Sequence, residues 1–88
     1  MRITTVTVPV VATSISTLID ETPRHTKAVG LQAPESNLDI VYFGDAKSQP
    51  FELRPKANAF LPIASFREVH IRTSGPGNKL SIALFDGA

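Results

Sequence analysis

The sequence predicts an all-β protein: a small β-sandwich or jelly-roll-like barrel of seven to eight short antiparallel strands with an extended N-terminal arm. Seven prolines divide its 88 residues into short pieces, and a proline inside a helix removes a hydrogen bond and clashes with the preceding turn. Apolar residues recur at a period of two, the spacing of half-buried strands. Turn residues separate most of these runs at intervals of about ten residues, as in sandwiches and barrels.

The first predicted strand lies in residues 2–13. Val6, Val8 and Val10 alternate there with threonine and proline on the opposite side. β-branched residues favour a pleated strand, and Pro9 restricts this one to a sheet edge or a bulge. An arm of alternating valine and threonine can pair with an exposed strand of its own chain or of a neighbour.

The pattern of alternation continues through Ser14–Ile19 and resumes in Thr26–Ala33. All six aromatic residues come later in the chain. We therefore predict an N-terminal β-arm over residues 1–22 and a compact β-sandwich body over residues 23–88.

The body contains the clearest alternation. Further strands are predicted at 38–43, 50–55, 59–63, 67–73 and 79–85. Two sets of residues are predicted to face the core: Val69, Ile71 and Thr73, and then Leu80, Ile82 and Leu84. The turn residues at 74–78 lie between the last two strands and predict that these form a hairpin.

Charge and composition exclude several classes of function. Nine basic residues against eight acidic ones leave a net charge of +1, so we expect neither a nucleic acid nor an anionic membrane as partner. The absence of cysteine removes disulfides, thiolate zinc sites and thiol catalysis. No apolar run has the length of a signal peptide core or of a membrane span.

No catalytic or metal-binding motif is present. His25 and His70 are far apart and lack the close spacing with carboxylates that a metal site requires. There is no activated-serine motif, and the loop Gly75–Lys79 lacks the spacing of a phosphate loop. We therefore expect no enzymatic activity, no catalytic residue, no cofactor and no metal.

The size of the chain favours assembly. Folding a chain of 9.5 kDa removes about 8,500 Å² from water, of which about 60% is apolar, and this stabilises the fold by about 130 kcal/mol. Ordering the chain costs about the same. Without disulfides, contact with other chains is the natural supplement. The predicted interface residues are Val6, Val8 and Val10 of the arm and Phe60, Leu61, Ile63 and Phe66 of an apolar segment.

From about Leu38 onward, the chain has a characteristic series of strands and turns: Ile40–Gly44, Pro50–Leu53, Phe60–Ile63, Glu68–Arg72, Gly75–Gly77 and Leu80–Phe85. In this series the chain resembles small β-sandwich structural proteins of tailed-phage virions. One departure is Pro55-Lys56-Ala57-Asn58, where such modules often carry a Pro-Gly-Glu turn.

The resemblance implies a virion structural role: a capsid decoration or cement protein, a head-fibre base or a tail component. Its partners would be copies of itself, with a trimer as one option, and a major capsid or other virion protein. The alternative is a small ligand-binding module for carbohydrate or single-stranded nucleic acid, with an aromatic platform built from Tyr42, Phe51 or Phe66.

Overall fold

The computed structural model describes residues 2–19, 26–62 and 68–86, which contain eight strands and one short helix. The elements in chain order are β1 (Arg2–Thr7), β2 (Thr13–Ser14), α1 (Ile15–Ile19), β3 (Thr26–Gln32), β4 (Val41–Gly44), β5 (Phe51–Leu53), β6 (Asn58–Pro62), β7 (His70–Thr73) and β8 (Lys79–Asp86). The prediction of an all-β fold with short strands is confirmed.

The strands form two antiparallel sheets of four. Sheet A has the order β1-β8-β3-β6 and sheet B has the order β2-β7-β4-β5. Strand β4 pairs with β5, β3 with β6, β2 with β7 and β1 with β8, as in a long hairpin wrapped around a barrel. This connectivity is that of the eight-stranded jelly roll.

The core lies between the two sheets, and strand alternation determines which residues enter it. The fully buried side chains include Val29, Leu31, Leu80, Ile82 and Leu84 from sheet A and Val41, Leu53 and Ile71 from sheet B. The predicted inward residues of β7 and β8 are confirmed, because Val69 and Thr73 are buried as well.

The prediction that the last two strands form a hairpin is wrong. Strand β7 belongs to sheet B and β8 belongs to sheet A, so residues 74–78 carry the chain from one sheet to the other. Gly77 has a φ of 86°, a left-handed conformation that glycine adopts without strain. The turn residues were read correctly, but a turn sequence does not specify whether its strands pair.

Asn78 holds this crossing in place. Asn78 is 1% exposed, and the two hydrogens on its Nδ2 are shared among three acceptors: Asp39 Oδ2, Thr73 Oγ1 and the Gly75 carbonyl. Its Oδ1 accepts from the backbone N–H groups of Leu38 and Asp39. One buried amide therefore joins the β7–β8 crossing to the β3–β4 connection.

The predicted extended run over Ser14–Ile19 is also wrong beyond its first residue. Residues Ile15–Ile19 form α1, and both terminal isoleucines are buried. The Ser14 hydroxyl accepts a hydrogen bond from the Ser16 N–H at 3.3 Å, which is the role of a helix N-cap. Ile15, Leu18 and Ile19 follow the three-and-four spacing of one helical face.

The described part of the predicted arm belongs to the sandwich. Strand β1 pairs with β8 of the same chain over Arg2–Thr7, and Val8 and Ile15 lie in the hydrophobic core. Residues 2–19 thus contribute a strand to each sheet and core side chains between them.

A tight turn connects β5 to β6. The Ala57 N–H donates to the Arg54 carbonyl at 2.8 Å, and Lys56 has a φ of 77°. Proline at the second position and a positive φ at the third are the pattern of a type II turn, whose third position favours glycine. Lys56 therefore stands where the backbone favours a glycine.

Candidate functional site

The outer face of sheet A carries an apolar row that crosses all four strands. Ile3 lies opposite Ala83, Ala83 lies opposite Gly30, and Gly30 lies opposite Phe60. The two large side chains stand on the edge strands, where Ile3 is 63% and Phe60 is 67% exposed. Small residues in the two central strands leave a depression between them.

Gly30 shapes this depression. The rings of Phe60 and Phe85 lie 5.8 Å apart between centroids and are tilted by 50°. A Cβ at Gly30 would come within 2.9 Å of Phe85 Cε2 and 3.3 Å of Phe60 Cε1, so any side chain there would displace a ring. The result is an open groove of about 150 Å³.

A row of uncharged polar residues borders the groove. Thr5, Ser81, Gln32 and Asn58 are in register across the four strands, and the hydroxyls of Thr5 and Ser81 are hydrogen-bonded at 3.2 Å. Among the described side chains on this outer face, only Lys79, at one corner, is charged. The face is therefore nearly neutral and apolar along one row.

The structure separates the predicted interface residues. Three of them face the core, because they alternate with outward-facing neighbours along their strands: Val6, Val8 and Leu61. Val8 is only 2% exposed, so it is unavailable to a partner in this arrangement. The exposed members are Val10 and Phe60. The remaining two, Ile63 and Phe66, lie outside the described residues.

Sequence reasoning missed three members of this face: Ile3, Gly30 and Ala83. Each is unremarkable within its own strand, and no local pattern links them. Only the register of four strands brings them into one row, and that register depends on pairings between residues distant in sequence.

The outer face of sheet B is polar. Tyr42 lies opposite both Glu52 and Arg72, and the Arg72 guanidinium sits 4.5 Å from the centroid of the Tyr42 ring. Arg72 Nε also donates to Gln49 Oε1 at 3.1 Å. No basic residue lies in the strand of Tyr42, but the pairing of β4 with β7 places Arg72 beside it. Because Arg72 covers the ring, Tyr42 is not an open platform for a base or a sugar.

Titratable groups gather at one end of sheet B around an open depression lined by Asp45, Lys47, Glu68 and His70. Hydrogen bonds from the backbone N–H groups of Ser48 and Lys47 hold the pKa of Asp45 below its ordinary value of 3.8. The Glu68 carbonyl accepts from His70 Nδ1 at 2.9 Å. In the described ranges, no group of three or more histidine, aspartate or glutamate side chains is placed to hold a metal ion. His25 lies outside them.

Comparison with protein-family models, curated proteins and solved structures finds no match. Within the residues that the structure describes, no helix combines the length and apolarity needed to cross a membrane.

Proposed function

We propose that this chain is a non-catalytic virion structural protein, a capsid decoration or cement protein or a head-fibre-base component. It oligomerises and docks on a larger capsid or tail protein through the outer face of sheet A. The observation that carries the proposal is the exposed apolar row from Ile3 to Phe60, which no described part of the chain covers.

The energetics of the row favour a protein partner. Burying one large apolar side chain such as Phe60 contributes about 1.5–3 kcal/mol, and aromatic anchors near the centre of a desolvated patch dominate protein interfaces. The nearly neutral face offers no field to attract nucleic acid or an anionic membrane. The complementary surface is thus another apolar protein surface.

The architecture is consistent with this role. Jelly rolls build viral capsid domains, and they also build lectin domains. Because one fold serves many functions, the outer face of sheet A and not the fold supports the proposed role. The resemblance of residues 38–85 to phage structural proteins adds the virion as the assembly in which the chain works.

The test uses particles of the phage whose genome encodes the chain, produced with its gene deleted. Purified chain is added, and the fraction that sediments with the particles is measured. Phe60→Asp should weaken binding at least about ten-fold, since that corresponds to about 1.4 kcal/mol and a buried phenylalanine contributes more.

Leu38→Asp is the matched control, because it also replaces a large apolar side chain, 91% exposed, that lies outside sheet A. It should bind as the wild type does. Failure of the wild-type chain to bind the particles, or wild-type affinity of Phe60→Asp, would overturn the proposal.

A second candidate function, carbohydrate binding, is favoured by one feature of the groove. The rings of Phe60 and Phe85 lie beside the amides of Gln32 and Asn58 and the hydroxyl of Ser81, and aromatic rings with neutral polar groups suit an uncharged sugar. A glycan array tests it: a specific signal lost in Phe60→Ala supports it, and background signal alone removes it.

A further inference from the structure

The four edge strands differ in how well they are protected. Strand β5 has only three residues, with Pro50 directly before it and Pro55 two residues after it. Strand β2 has only two residues, and β6 ends in Pro62. Short strands and prolines block pairing with another chain. Strand β1 has six residues, no proline and a single charged residue, Arg2. It is the least protected of the described edges.

The free side of β1 can be identified from one hydrogen bond. The Val8 N–H donates to the Asn78 carbonyl at 2.9 Å, and Val8 and Asn78 continue the β1–β8 register. In antiparallel pairs, hydrogen-bonded and non-hydrogen-bonded positions alternate. The N–H and C=O groups of Thr4 and Val6 therefore point to β8, and those of Ile3, Thr5 and Thr7 point away from it.

The residues that carry these free groups are all exposed: Ile3, Thr5 and Thr7. Helix α1 also lies near β1. No other described strand lies beside this edge. Three residues thus present unpaired donors and acceptors along one uncharged stretch.

We propose that β1 pairs with β1 of a second copy of this chain, antiparallel and about a two-fold axis at Thr5. Thr5 lies opposite Thr5 of the second copy, and Ile3 lies opposite Thr7 of the second copy. The three hydrogen-bonded positions give about six inter-chain hydrogen bonds. A two-fold centred one residue away, on Thr4, has fewer hydrogen-bonded positions and gives about four.

Side-chain chemistry fits this register. Threonine pairs and β-branched pairs are favourable across antiparallel strands, and no like charges lie opposite one another over Ile3–Thr7. On the inner side, half-buried Val6 lies opposite half-buried Thr4 of the second copy. Both side chains become more buried when the strands pair. The two sheets A become one sheet of eight strands.

The role of this pairing rests on the proposed function, in which the outer face of sheet A docks on a larger protein. A two-fold axis perpendicular to the sheet puts both outer faces on the same side. Two apolar rows are then presented together to one partner surface. Binding through two rows raises the apparent affinity without any new kind of contact.

A cysteine cross-link tests the pairing, because the chain has no cysteine of its own. Opposed Cα atoms at a hydrogen-bonded position lie about 5.5 Å apart, within disulfide range. Oxidised Thr5→Cys should therefore form a covalent dimer. Ser81→Cys is the matched control: it loses the same Thr5–Ser81 hydrogen bond, but its position on β8 separates the two copies by about 14 Å.

Dimer from Thr5→Cys with none from Ser81→Cys supports the pairing. A folded Thr5→Cys chain that remains monomeric, or equal cross-linking of both variants, overturns it. In that case the chain would still bind to particles in a way that depends on Phe60. The proposed function can therefore survive the failure of the pairing.

Thr5→Pro provides a second measurement. It removes an N–H that points away from β8, so the intramolecular pairing is retained, as for proline on the solvent side of an edge strand. The variant should stay folded by circular dichroism and become monomeric by light scattering. A folded Thr5→Pro dimer would contradict the pairing.

Discussion

Asn78 is expected to be the most sensitive polar residue of the described fold. Its side chain has five hydrogen-bond partners, two on Oδ1 at 2.9 and 3.1 Å and three that share the two hydrogens of Nδ2 at 2.9, 3.1 and 3.0 Å. A hydrogen bond contributes about 1 kcal/mol net, and a buried group left unpaired costs about 1–3 kcal/mol. Asn78→Ala should therefore lower the free energy of unfolding by about 3 kcal/mol.

Urea denaturation followed by circular dichroism measures this loss. Ser74→Ala, at an exposed neighbouring position, is the control and should change stability by less than about 0.5 kcal/mol. If Asn78→Ala falls within the same limit, the crossing between the sheets does not depend on this amide, and our account of it is refuted.

Asn78→Asp separates the role of the donor from that of the acceptor. It keeps an acceptor for Leu38 and Asp39 but places a carboxylate where an amide now donates to Asp39 Oδ2 at 2.9 Å. Like charges at this distance oppose each other's ionisation. The variant should be less stable than Asn78→Ala at neutral pH and should regain stability in acid, as protonation of either carboxyl removes the repulsion. If Asn78→Asp is equally stable at neutral and at acid pH, the predicted repulsion between the two carboxylates is absent.

Three further predictions follow from single positions. Lys56→Gly should raise the unfolding free energy by about 0.5–1 kcal/mol in urea, because glycine relieves the positive φ, whereas Lys56→Ala should not; equal effects would refute the strain. The Asp45 carboxyl should titrate by NMR below its ordinary pKa of 3.8, so its contribution to stability is present above pH 3.8 and is lost as the pH falls through the lowered pKa. Titration at or above 3.8 would contradict the hydrogen bonds from Ser48 and Lys47 to this carboxylate. Gly44→Ala should destabilise the fold by more than about 2 kcal/mol in thermal unfolding, because its Cβ would overlap the Ser48 carbonyl oxygen and lie 2.8 Å from Gln49 Cα; a near-wild-type Tm would refute this.

The sequence predicts the core-facing residues of β7 and β8 well, because alternation is local. The period of two in β7 and β8 suffices to place Ile71 and Ile82 in the core. It does not show which strands pair, since β1 and β8 meet from opposite ends of the chain. The prediction of a hairpin at 74–78 is wrong for this reason. Turn residues indicate that the chain changes direction, but they do not indicate which strand the next strand pairs with.

The candidate site was harder to predict. Phe60 was identified, because aromatic residues crowd that segment, but its neighbour Leu61 points to the core. Gly30 and Ala83 carry no signal as single residues, since a groove floor needs only small side chains. The pairing of Tyr42 with Arg72 likewise arises across strands and not within one.

Neighbouring copies are expected to complete this small domain, and the mass of the native protein in solution shows whether they do. Light scattering should give about twice the 9.5 kDa of one chain, about 19 kDa, since the two-fold pairing of β1 closes a dimer. A mass corresponding to three copies would contradict the two-fold pairing. A mass of 9.5 kDa at every concentration would contradict the claim as a whole.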